Sequence, residues 1–82
     1  MTAVHIAVIL WGENTLHATR RATIAEIEEV FANGPVIRAN LRGRVATHLA
    51  VGRTDAGRPV VVAFIYRAEI RAAIPITAWE DR

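Results

Sequence analysis

The stretch Val45–Tyr66, VATHLAVGRTDAGRPVVVAFIY, limits what this chain can fold into more than any other part of it. Two apolar runs are joined by Thr54-Asp55-Ala56-Gly57-Arg58. Both runs are rich in β-branched and aromatic residues and lack a helical rhythm, which argues against an amphipathic helix. Asp55 can bond the backbone ahead of it, and Gly57 can take the positive φ that closes a short bulged turn, so the stretch reads as an antiparallel hairpin. Its strands differ. In the first, Val45, Thr47, Leu49 and Val51 share one face, while Ala46, His48, Ala50 and Gly52 make the other face shallow. The second, Val60–Ile65, is apolar without alternation, and such a strand is normally central and covered on both sides.

The rest of the chain supplies cover. Val4–Leu10 (VHIAVIL) reads as a first strand from its length and β-branched content. After Trp11-Gly12, Glu13–Arg21 reads as one or two helical turns with Leu16 toward the core. Thr23–Ala32 is the clearest helix: Thr23 and Glu26 form a capping box, and Ile24, Ile27, Val30 and Phe31 an apolar stripe. Glu26, Glu28 and Glu29 read as a solvated side, and Asn33-Gly34-Pro35 ends the helix. Pro35–Asn40 reads as a strand, and Arg42-Gly43-Arg44 as the turn into the hairpin. Ile70–Ala78 reads as a last strand in which Pro75 demands an edge or a bulge. Trp79–Arg82 reads as a tail. This order predicts one α+β domain over residues 1–82, with two short helices packed on one face of a four- to five-stranded antiparallel sheet. The other sheet face is left open, so self-association or a partner chain is expected there.

Composition narrows the class. At 52% hydrophobic the chain is too apolar to be disordered, yet its longest uncharged apolar run, Ala3–Gly12, is too short for a bilayer. No signal peptide is expected. Without cysteine there are no disulfides or thiol chemistry, which fits a cytoplasmic location. All 10 basic residues are arginine and the net charge is +2. A guanidinium pairs two phosphate oxygens at once, although a GC-rich coding bias produces the same composition. No phosphate-binding loop, dinucleotide fingerprint or Ser-His-Asp arrangement is visible. The three histidines lack metal-ligand spacing, so no cofactor or metal is expected.

Four features in order carry a family likeness: Trp11-Gly12-Glu13; His17 with Arg20-Arg21 before the helix bearing Glu26, Glu28 and Glu29; Ala50-Val51-Gly52-Arg53-Thr54 with Gly57-Arg58 after it; and Pro75-Ile76-Thr77-Ala78. Together they resemble the BrnT family of toxin–antitoxin ribonucleases, compact relatives of the RelE fold. Gly12 stands where that family has Asp, and Ile74 where its last strand carries an Arg. The resemblance implies a cytoplasmic toxin, a metal-independent endoribonuclease with a RelE-like fold, neutralised by a small antitoxin.

Such an enzyme makes a 2′-hydroxyl attack the adjacent phosphate. It needs a proton acceptor, cations for the growing phosphoryl charge and an acid for the leaving oxygen. The resemblance points to Arg53 for the phosphate. His17 is the expected acid or base, because imidazole exchanges protons near neutral pH. Tyr66, ending the central strand, is expected to bring its hydroxyl toward Arg53. Arg20, Arg21, Arg44 and Arg58, with Arg42, are expected to track an RNA backbone and make binding salt-sensitive. Trp11 and Trp79 could stack bases, but core or interface packing is the expected role of each. Plainer readings stand beside these: Arg53 as a surface residue at a hairpin end, His17 and His48 as structural histidines, Tyr66 as a core aromatic, Glu80 as part of a frayed tail. The alternative to the nuclease is a non-catalytic RNA- or protein-binding module on the same scaffold. A third possibility is a structural domain that dimerises through its open face.

Overall fold

The computed structural model describes residues 4–81. Five strands form one sheet: β1 (Val8–Ile9), β2 (Val36–Ala39), β3 (His48–Arg53), β4 (Pro59–Arg67) and β5 (Ala72–Glu80), in the spatial order β1-β5-β4-β3-β2. Helices α1 (Thr15–Ala18) and α2 (Ile24–Ala32) lie between β1 and β2 in the chain. The fold is therefore α+β, as the residue pattern predicts. The sheet is mixed, however, and not wholly antiparallel: β1 runs parallel to β5, with Val8 opposite Ala72 and Ile9 opposite Ala73. Arg71, the one described non-glycine at positive φ (50°), offers its carbonyl to the Ala7 and Val8 N–H groups at 2.7 and 3.3 Å. Only Val8 and Ile9 of the expected Val4–Leu10 strand join the ladder, because the chain breaks away at Trp11-Gly12.

The hairpin is the spine of the sheet. His48 to Arg53 pair with Phe64 to Pro59, and Gly57 sits in the turn at φ +87°. β4 presents Val60, Val62 and Phe64 toward α2, where Ile27 and Val30 meet them, all five fully buried. The shallow face of β3 lets α2 approach closely. A Cβ on Gly52 would stand 3.1 Å from the Pro35 Cβ and 3.3 Å from the Val30 Cγ1. Phe31 meets Phe64 edge-on at 5.3 Å, and the His48 ring stacks on Phe64 at 5.8 Å. Pro75 lies opposite Phe64 where the β4–β5 register shifts, so the bulge accommodates its missing N–H, and the residue is fully buried.

The capping box forms as its residues require. The Glu26 N–H donates to Thr23 Oγ1 at 3.1 Å, and the Thr23 N–H donates to Glu26 Oε1 at 3.0 Å. Gly34 takes φ +69° beyond the helix end. Other expectations fail for identifiable reasons. α1 has only four residues, so a single position turns inward: Ala18 is fully buried, while Leu16 is 86% exposed. Glu80 is not in a frayed tail, because β5 continues to it and pairs it with Val60. Arg82 lies outside the described residues. The sheet face away from α2 carries Val36, Leu49, Val51, Val61, Ala63 and Ile65; Val36 is exposed, Val61 and Ala63 are buried, and the others are half-buried.

Candidate nucleic-acid cleft

β1 covers only Ala72 and Ala73, so the outer edge of β5 beyond them faces α1 and the loop that follows it. Short-range bonds fix this helix. The Gly12 N–H donates to Thr15 Oγ1 at 2.9 Å, and the Thr19 hydroxyl donates to the Thr15 carbonyl at 2.7 Å. With Ala18 anchored inward, His17, Arg20 and Arg21 come to line a cavity of about 230 Å³ against Thr77, Ala78 and Trp79. A second cavity of about 680 Å³ is lined by Arg21, Arg58, Trp79 and Glu80. Arg21 and Trp79 border both, so the two read as one cleft with an imidazole at one end and a carboxylate at the other.

Arg58 stands behind that cleft. Its Nη1 donates to Glu26 Oε2 and its Nε to Glu80 Oε1, both at 3.0 Å, and its Nη2 donates to the Arg21 carbonyl at 2.7 Å. Its own N–H donates to Thr54 Oγ1 at 3.1 Å, which satisfies the buried Thr54 hydroxyl. Bonds from Glu80 and then Glu26 raise the Arg58 pKa further and keep the group charged. The Thr23 N–H, and then Arg58, hold the Glu26 carboxyl below its ordinary range.

The expected site residues fall into separate groups. His17, Arg20 and Arg21 are together and exposed at the cleft. Arg58 borders it, but each of its guanidinium nitrogens already has a protein acceptor, so it joins elements where a free phosphate fork was expected. Arg53 is exposed at the hairpin turn. Its Nη1 donates to the Gly57 carbonyl at 2.7 Å and its carbonyl accepts from Asn33 Nδ2 at 3.0 Å. Tyr66 does not approach it. Arg53 pairs with Pro59 at the start of β4, and Tyr66 lies roughly 20 Å further along the strand. The Tyr66 hydroxyl instead donates to the His5 carbonyl at 3.0 Å and accepts the His5 N–H at 3.2 Å, pinning the N-terminal segment. Arg44 is exposed in the β2–β3 loop, at the Tyr66 end of the sheet.

The glutamates of α2 are not merely solvated. Besides Glu26, Glu29 accepts the Asp55 N–H at 3.0 Å, and Glu28 accepts from Trp11 Nε1 at 3.4 Å. Trp79, expected in core or interface packing ahead of base stacking, is half-buried and lines the cleft. Among the described residues no three His, Asp or Glu side chains gather as a metal-holding group, and no helix is long and apolar enough to cross a membrane. Comparison with known proteins finds no matching family model, curated protein or solved structure.

Proposed function

We propose that this chain binds single-stranded RNA in the His17–Arg20–Arg21–Trp79 cleft and cleaves it, as the toxin of a toxin–antitoxin pair. One observation carries the reading: an imidazole, two guanidinium groups and an indole border a single opening beside β5. Guanidinium groups hold nonbridging phosphate oxygens, and an indole offers a base a stacking surface. In the cleavage step His17 accepts the 2′-hydroxyl proton, the O2′–P bond forms, the P–O5′ bond breaks, and the leaving O5′ is protonated from water. Arg20 and Arg21 stabilise the charge on phosphorus-bound oxygens as it grows. A small antitoxin or a second copy covers the open sheet face, and the protein works in the cytoplasm.

The test is incubation of the purified chain with labelled single-stranded RNA. Cleavage to a 2′,3′-cyclic phosphate end, lowered about 10²-fold in His17→Ala, supports the nuclease. Salt-sensitive binding without cleavage supports the second reading, a non-catalytic RNA-binding module. The observation favouring that second reading is that Tyr66 and Arg53, both expected at the reacting phosphate, do not line the cleft. RNA that is neither bound nor cut would end both.

A further inference from the structure

We infer that Arg58 is a positioning residue for the RNA cleft, acting through Arg21 and the end of β5 and not on phosphate. The inference rests on the RNA reading above. Four separate parts of the chain end on this one side chain or its N–H: the α1–α2 loop at the Arg21 carbonyl, the α2 N-terminus at Glu26, β5 at Glu80, and the hairpin turn at Thr54. Two of them, the Arg21 loop and the Trp79–Glu80 end of β5, both border the cleft. The placement of those two elements relative to each other is therefore tied through one guanidinium group.

The planar fork matters here. Its nitrogens diverge at fixed angles, so three acceptors on three elements are held in a defined arrangement. A lysine ammonium is a compact donor on a flexible stem and cannot span the same acceptors in one geometry. The partners are themselves fixed: Glu26 is locked by the capping box, and the strand pairing of Glu80 with Val60 holds the end of β5. Losing the fork releases the Arg21 loop, whose carbonyl accepts at 2.7 Å, the shortest of the three side-chain bonds.

The experiment compares Arg58→Lys with Arg21→Ala, using a fluorescein-labelled single-stranded RNA oligomer titrated at several salt concentrations. A residue that touches phosphate contributes to the salt slope, by about 0.7 per contact for a single strand. A positioning residue lowers affinity and leaves that slope intact. Arg21→Ala is expected to flatten the slope, whereas Arg58→Lys is expected to weaken binding about tenfold at an unchanged slope. In RNA-free protein, Arg58→Lys is also expected to shift the Trp79 indole N–H and Arg21 amide resonances. A slope flattened as much by Arg58→Lys would put Arg58 on phosphate. Wild-type affinity with unshifted resonances would leave it a stabiliser of the hairpin alone. Either result overturns the inference. Should Arg58→Lys fail to fold, Glu26→Gln makes the same comparison, because glutamine preserves the capping box while weakening the Arg58 bond. If the wild-type chain binds no RNA, the functional reading falls, and the two resonances still decide whether Arg58 sets the cleft.

Discussion

Glu26 serves two partners with one carboxylate, and its titration is the residue-scale consequence. One oxygen accepts the Thr23 N–H and the other accepts from Arg58. Both bonds favour the charged form, so the folded pKa lies below the ordinary value near 4.3. A carboxyl with a lowered folded pKa stabilises the native state fully above its unfolded pKa and loses that contribution as pH falls through the folded one. Urea denaturation between pH 7 and pH 3 is therefore expected to show stability falling below about pH 4.5, with a shallower fall in Glu26→Gln. Equal pH profiles for the two proteins would remove Glu26 from the acid response. Residue type made the capping box readable, since Thr23 and Glu26 are three apart. The Arg58 bond was not readable, because Arg58 lies 32 positions away and meets Glu26 only once the hairpin is docked.

At the scale of elements, the decisive contact is α2 on the shallow face of β3. Gly52 admits the helix because it has no Cβ. A methyl there would crowd Pro35 and Val30 at 3.1 and 3.3 Å, and Val30 is fully buried with no slack. Gly52→Ala is expected to cost about 1–3 kcal/mol, as overpacking of a tight core does, measured by urea denaturation. A cost under a few tenths would show that α2 shifts freely on the sheet. The small face of β3 was legible from alternation, and so was the capped helix. The length of α1 was not. Glu13–Arg21 has good helix formers, yet only Thr15–Ala18 is helical, because the turn at Trp11-Gly12 and the N-terminus of α2 close in from both sides. That truncation is what leaves Leu16 outside and places His17 and Arg20 on the cleft.

For the whole molecule, α2 packs on one side of the sheet, and the opposite side carries Val36 exposed and Leu49, Val51 and Ile65 half-buried around the buried Val61 and Ala63. The proposed partner or second copy belongs there. Sedimentation velocity is expected to show concentration-dependent association of the isolated chain. Val36→Lys, at a position 57% exposed and so free of packing demands, is expected to abolish it without loss of stability. A monomer at every concentration would leave the face to a different chain or to solvent. The expectation of an open face came from counting helices against the run Val60–Ile65 of β4, which is apolar throughout.

Local chemistry determined the pieces on its own: the hairpin with Gly57 in its turn, the capped α2, and the interruption of regular pairing at Pro75. Each depends on residues close in sequence, where backbone sterics and short-range hydrogen bonds act before any tertiary contact exists. Only the tertiary structure decided that β1 joins β5 in parallel, that Tyr66 holds the N-terminal segment while Arg53 lies far off, and that Arg58 is consumed in binding other parts of the chain. Those outcomes turn on pair register and on which distant acceptor a long side chain meets, and no short-range pattern encodes either.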